Sequence, residues 1–424
     1  MIFTLTTIFI ATTIQEPPEQ VPLETPSLQW MRKTTGDEVV AIDLVSRRYE
    51  AEGKPDIWLI GVAHVAEESF YEEVTELLDT MDIVLYESVR PSGSRPPSGK
   101  TEEERVASTQ KSLEFVADVA KRCAEESDLI PESMDDVIAD ASLIDRRLSN
   151  FVEDASVDAW SRPFVLQVNP AKSEIIIWSF GSDGEVGGTG SASDLTARRI
   201  VKVLEEGEYF SDEEDNDKGM QEEFADVLGL EFQLDALPYE EPNWFCSDLT
   251  IDEVQTEIKK RGGDPAILGT ITGESFTAKI ASGFLKLIPM LDSFTKGGAR
   301  ETAKLLMIEI LSMPESEEML EGVEPELAHV IIVDRNTEVL KDIAATIEVV
   351  ENVSTIGVLY GAGHMSDLSN RLGTLLGYTP IEDKWFTAMR VNPADSLLDE
   401  KYMRQMRAML KMQLHNARKK KEDK

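Results

Sequence analysis

Residues 57–88 read IWLIGVAHVAEESFYEEVTELLDTMDIVLYES, and the way this stretch folds decides the class of the whole chain. Its opening run, IWLI, is continuously apolar and too short for a helix, which suits a strand buried on both faces of a sheet. Gly61 breaks the run. Phe70, Val74, Leu77 and Leu78 then recur at i, i+4, i+7 and i+8, the stripe of a helix packed on that sheet. DIVLYES, residues 82–88, is the next strand. Strand, helix and strand in this span form a βαβ unit, so its two strands are expected to be parallel, with a right-handed crossover.

The same layout returns near the other end. TIGVLYGAGHMSDLSNRLGTLLG, residues 355–377, is an apolar run followed by a helix with Met365, Leu368, Leu372 and Leu375 on one face. EVVAIDLV, residues 38–45, supplies a further strand ahead of both. The expected fold is α/β: a mixed, largely parallel sheet flanked by helices.

Each apolar run ends in the same short frame, Gly-x-x-His: Gly61 to His64 and Gly361 to His364. Only 4 histidines occur in 424 residues, so two in matching frames stand out. In a parallel sheet, ligands bind beyond the C-terminal ends of the strands, where both frames fall. Glycine there lets the backbone turn sharply or approach another group closely. Glu87 closes the strand VLYES at the same rim. Two imidazoles and a carboxylate form a three-ligand set for a divalent metal such as Zn, Mn or Co, with positions left for water and substrate. The plainer reading is that each histidine caps a helix or holds a turn; a single frame favours that reading, and the pair favours a metal.

In HVIIVDRNTEVLKDIAATI, residues 329–347, Asn336 shares a helical face with Val339, Leu340, Ile343 and Ile347. An inward Asn beside Arg335 needs partners. Together they can donate to an anion or oxyanion, or Arg335 can pair with a structural carboxylate. His329 reads as structural, and His415 lies in a basic tail.

The middle of the chain is less patterned. Residues 102–126 are helical. FVLQVNPAKSEIIIWSF, residues 164–180, alternates like a hairpin around Asn169-Pro170, and GSDGEVGGTGSAS after it lacks the frame of a phosphate-binding P-loop and reads as a flexible loop. SDEEDNDKG, residues 211–219, is a solvated acidic loop. Residues 130–218 are therefore expected to be an insertion in one α/β domain covering residues 27–424. Thr250 and Glu253 form a capping box that opens a helix over residues 251–261, stopped at Gly262, and Trp244 and Phe245 are expected in the core.

A net charge of −38 argues against nucleic acid or anionic lipid as partners, since both need clustered cations. The two cysteines, Cys123 and Cys246, sit in no metal or redox spacing and read as small buried hydrophobes. Ile2 to Ile14 is apolar, too short to span a bilayer but of the length of a signal-peptide core, and a Pro/Glu-rich linker follows to about residue 26. Export to the periplasm or outside is the expectation, with a cytoplasmic location as the alternative, and the remainder contains no transmembrane-length apolar run.

Taken in order, GVAH before a helix, DIVLYES, VDRN at the head of a late helix, and YGAGH with a helix ending in GY resemble the TraB/PrgY/GumN family. Its animal relatives are the Tiki proteases, and it is related to the ChaN-like and erythromycin-esterase-like (EreA-like) folds. The resemblance covers roughly residues 38–90 and 325–390. It implies a mixed sheet flanked by helices, with His64, Glu87 and His364 in the active site and Arg335 and Asn336 on motif positions. In the Tiki branch it implies a metal-dependent peptidase. Asp334 departs from the family's usual Glu, and residues 130–218 have no counterpart, so substrate preference does not carry over. Two functions follow. One is a metal-dependent hydrolase acting on an amide or ester of a peptide or small molecule, with Glu87 as ligand or base and Arg335 at the oxyanion. The other is a non-catalytic protein binding haem, metal or a peptide at the same rim.

Overall fold

The computed structural model describes residues 29–201, 228–265, 298–312 and 325–397, apart from positions 37, 128, 170 and 172, together with residues 402 and 408. The chain opens with β1 (Met31–Thr35), β2 (Val40–Glu50), β3 (Asp56–Val62), β4 (Val65–Ala66), α1 (Glu68–Leu78) and β5 (Ile83–Tyr86). It continues through α2 (Glu102–Ser127), α3 (Met134–Ile144), α4 (Arg146–Ala155), β6 (Val165–Asn169), β7 (Glu174–Ser179) and β8 (Leu195–Ile200). Next come β9 (Glu231–Phe232), α5 (Gln233–Ala236), β10 (Trp244–Cys246), α6 (Ile251–Lys260), α7 (Gly298–Leu311) and α8 (Pro325–His329). A π turn (Val330–Asp334) leads into α9 (Arg335–Val349), followed by β11 (Thr355–Gly361), α10 (Met365–Leu376) and β12 (Thr379–Val391). The signal-like segment, the acidic run 211–219 and His415 lie outside the described residues.

The described chain forms two compact units. The larger takes residues 29–88, the described part of 228–343, and 350–397; the smaller takes 89–201 and 344–349. The expected insertion, as far as it is described, belongs to the smaller unit.

The larger unit is built on a seven-stranded mixed sheet. Its parallel part runs β3, β11, β5, β10. The antiparallel part is organised by β2, which pairs β1 through its first half and β3 through its second, with β12 along its other edge. The two strands of the βαβ unit are parallel as expected, but they are not neighbours. β11, contributed from nearly 300 residues later, lies between them. Local pattern marks a strand; it does not say which strand comes back to pair with it.

Alternation along the strands explains why both faces are apolar. Trp58, Ile60 and Val62 join the core with Phe70, Tyr71, Val74, Leu77 and Leu78 of α1 and with α7. The intervening Ile57 and Leu59, with Val358 and Tyr360 of β11, are buried as well. α10 buries Met365, Leu368 and Leu372 and ends at Gly377, whose φ of 76° is the left-handed cap that terminates the helix. Leu375, expected on that buried face, is 41% exposed. The capping box at Thr250 and Glu253 is complete in both directions, and the helix ends at Lys260, with Gly262 at φ 85°. Trp244 is core, whereas Phe245, pointing to the other side of β10, is 36% exposed.

The smaller unit pairs helices α2, α3 and α4 with a three-stranded antiparallel sheet, β6–β7–β8, and α2 lies against β7 and β8. The hairpin read at residues 164–180 is present as β6 and β7. The glycine-rich stretch departs from the expected flexible loop: it is a tightly bonded connection from β7 to β8. Arg162 donates to the carbonyls of Gly181 (3.1 Å) and Ser182 (2.7 Å), and the Gly187 N–H donates to the Asp194 carboxylate at 3.0 Å. Gly181, Gly184, Gly187, Gly188 and Gly190 all have positive φ, which accounts for the glycine content of the stretch.

Candidate functional site

The four parallel strands end at one rim, and each delivers a polar residue there. His64 follows β3, Glu87 follows β5, Asp248 lies two residues past β10, and His364 follows β11 through a short 3-10 turn, Ala362–His364. The head of α9 brings Arg335 and Asn336 to the same cluster, in the turn directly after the π turn. π turns recur at functional sites because the extra residue re-aims the side chains that follow.

Glu87 is the centre. Its Oε1 accepts from Arg335 Nη2 at 2.7 Å and faces His364 Nε2 at 3.3 Å; its Oε2 accepts the Gly361 N–H at 2.6 Å. A Cβ on Gly361 would come within 3.2 Å of that same Oε2. The glycine of this frame is therefore what lets the carboxylate rest against the backbone. Burial by itself pushes the Glu87 carboxyl up, but the charges of His364 and Arg335, a hydrogen bond from His364 and the charge of His64 hold it well below its ordinary value.

Arg335 also binds Asp248 in a fork, Nε to Oδ1 at 2.9 Å and Nη2 to Oδ2 at 2.5 Å. Asp248 is 1% exposed and accepts the Leu249 N–H as well. The sequence left two roles open for Arg335, and it fills the carboxylate-pairing one twice over, while Nη1 makes no hydrogen bond to a described residue. Burial would lower the Arg335 pKa, but Asp248 and Glu87 raise it well above its ordinary value.

Asn336 does something other than face an oxyanion. Its Nδ2 donates to the His364 carbonyl (3.1 Å) and to Asp367 Oδ2 (2.8 Å), and its Oδ1 meets His364 Nδ1 at 2.8 Å. Both amide hydrogens are thus in use, and the residue acts on His364. Since Oδ1 can only accept, His364 Nδ1 carries the proton. Tyr360 packs edge-on against the imidazole, ring centroids 5.3 Å apart, and its hydroxyl donates to the Ser247 carbonyl.

His64 is placed differently. Its carbonyl accepts the Gln233 N–H (2.9 Å), and the neighbouring Ala63 carbonyl accepts from Tyr71 (2.8 Å), so the backbone is pinned. Its side chain is exposed. β4, paired with β9, stands between it and α1, where the sequence suggested a direct turn into the helix. Among the described residues, no three of His, Cys, Asp and Glu are gathered as a metal-ligand set. The donors nevertheless suit a cation in part. The imidazole, committed to Asn336 through Nδ1, turns Nε2 to the Glu87 carboxylate at 3.3 Å, a gap that a proton on Nε2 or a metal can bridge.

Two residues of the cluster, and a third that holds the His64 backbone, escaped sequence reading. Asp248 sits after WFC, a three-residue strand too short to show a pattern. Asp367 looks like an ordinary first-turn acid of a helix. Gln233, 4% exposed, has its Nε2 on the Tyr239 hydroxyl and no partner for Oε1 among the described residues; nothing around it in the sequence marks it. His329 lies 3.6 Å from Asp334, which forms a two-point ion pair with Arg261 away from Glu87. Of the cysteines, Cys123 is buried and Cys246 half-buried, the latter with Sγ 3.1 Å from the Ser88 carbonyl.

Comparison with protein families matches residues 138–198 to a model described as Type II secretion system (T2SS), protein G. The matched segment runs from within α3 through β8, in the smaller unit, and includes the glycine-rich connection. No curated protein and no solved structure matches the chain. No helix among the described residues is long and apolar enough to cross a membrane.

Proposed function

We propose that the protein is a metal-dependent hydrolase, peptidase-like, of the TraB/PrgY/GumN kind with an EreA/ChaN-like sheet, acting on an amide or ester carbonyl. The observation that carries this reading is the His364–Glu87 pair: a nearly buried carboxylate facing an imidazole nitrogen whose other nitrogen is committed to Asn336. His364, Glu87 and His64 are the residues that would hold the metal. When bound, a divalent cation supplies Lewis acidity, lowering the pKa of water and polarising a carbonyl. Glu87 stays ionised because His364 and Arg335 outweigh its burial. Arg335, anchored by Asp248, keeps Nη1 for the oxygen on which charge develops. His64 is exposed at the rim, near enough for its charge to favour the ionised Glu87. The likeness of residues 138–198 to a secretion-system component and the signal-like N-terminus support an exported location.

The saturation of Glu87 by three partners favours a second reading, a protein that binds metal, haem or a peptide without turnover. Elemental analysis of the wild type beside His64→Ala and His364→Ala tests the first reading: stoichiometric metal in the wild type and none in either variant is expected. Metal retained by both variants would remove the rim from consideration. A Soret band on adding haemin, without hydrolysis of ester or peptide substrates, would favour the second reading.

A further inference from the structure

The polar chain continues past His364 toward the surface, and every link in it has a fixed direction. Arg371 Nη1 donates to Asp367 Oδ2 (3.2 Å) and to the Val333 carbonyl (3.0 Å), and Nη2 donates to Thr337 Oγ1 (2.8 Å). Val333 belongs to the π turn, and its carbonyl also accepts from Thr337 Oγ1 at 2.6 Å. Arg371 is thereby locked to the turn that aims Arg335 and Asn336. A guanidinium only donates and a carboxylate only accepts. Asp367, together with the His364 carbonyl, therefore requires that Asn336 turn its NH2 toward them, which leaves Oδ1 for the imidazole.

We propose that Arg371, Asp367 and Asn336 form a positioning relay that keeps a proton on His364 Nδ1 and aims Nε2 at Glu87, so that when the ring gives up a proton it does so from Nε2 and is left as the Nδ1–H tautomer with its lone pair toward the rim. Only the use made of that lone pair rests on the metal reading. The relay itself is a property of the polypeptide. Asp367 acts through Asn336 and touches neither the imidazole nor Glu87 by any hydrogen bond in the structure.

The test reads the tautomer directly. With 15N-labelled histidine, the 4 imidazoles are assigned from single His→Gln variants, and long-range 1H–15N correlations are recorded over a rising pH series until the 15N shifts themselves report a neutral His364 ring. The wild type should show His364 as Nδ1–H alone. Asp367→Asn, which offers an amide able to donate or accept, should admit the Nε2–H form, and Asp367→Glu should restore the single form. Zinc titration should show affinity about 10–100-fold weaker in Asp367→Asn, as for other outer-shell changes. Should Asp367→Asn fail to fold, Asp367→Ala, which removes the accept-only partner of Asn336, should move the tautomer in the same direction. A wild-type His364 in the Nε2–H form, or variants that keep Nδ1–H alone, would overturn the relay. If the wild type takes up no zinc while the tautomer shifts as described, the relay stands and the metal reading falls.

Discussion

The two Gly-x-x-His frames look alike in sequence and are neighbours in space, yet they hold their histidines in opposite ways. β3 and β11 run side by side and parallel, with Gly61 opposite Tyr360 and Gly361 opposite Val62. The frames are therefore staggered by one residue. His364 is 5% exposed, bonded through Nδ1 and facing a carboxylate, while His64 is exposed. The glycines differ too. Gly361 clears space for Glu87 Oε2, whereas Gly61 lies under the other frame, where a Cβ would meet the Val45 carbonyl at 3.3 Å and Met365 Cγ at 3.5 Å. A matching pattern thus specifies a matching turn; the neighbours decide what each histidine does.

The buried half of this comparison should be the costly one to disturb. Asp248→Ala leaves the Arg335 guanidinium with half its carboxylate partners, and breaking a buried pair in this way costs about 3–5 kcal/mol. Urea denaturation should show it, and a loss below about 1 kcal/mol would mean that the pair is not buried as described. His364→Ala should cost about 1–3 kcal/mol, because Asn336 Oδ1 and Glu87 Oε1 both lose their imidazole partner. His64→Ala should stay within about 0.5 kcal/mol, as an exposed site should. Equal losses for the two histidines would erase the contrast between the frames.

Acid should weaken the buried half specifically. The folded-state pKa of Glu87 lies well below its ordinary 4.5. Its contribution is therefore fully present above that value and is lost as pH falls below it toward the folded-state pKa. Denaturation from about pH 6 to about pH 3 should show a wild-type decline that is shallower in Glu87→Gln; parallel curves would mean that Glu87 is not held ionised by its neighbours. The smallest effect concerns the thiols. Burial pushes the Cys123 thiol up to about 12, so alkylation of the native protein at neutral pH should reach Cys246 before Cys123, as peptide mapping can verify. The reverse order would misplace both.

Much of the larger unit was legible. The apolar runs at 57–60 and 356–360, the stripe of α1 and the capping box at Thr250 all stand where local pattern puts them, because each depends on contacts within one element or on simple alternation. The centre of the site was legible in its residue types, His364, Glu87 and Arg335, but not in its wiring. Asp248 follows a strand of three residues, too short for periodicity to reveal. Asp367 and Gln233 gain their meaning only from what they touch. In the smaller unit the hairpin was visible, whereas the glycine-rich connection was misread, since positive φ and low complexity look the same in sequence whether or not an Arg162 bonds the loop.

By itself, then, the sequence determined that this chain forms an α/β sheet with apolar strands ending in glycine turns, because burial on two faces and steric freedom are written residue by residue. Tertiary structure alone decided that β11 lies between β3 and β5, that one histidine is buried and the other exposed, and that Asn336 serves His364. Pairing across some 300 residues and the direction of each hydrogen bond depend on which groups meet in space, and no spacing along the chain encodes that.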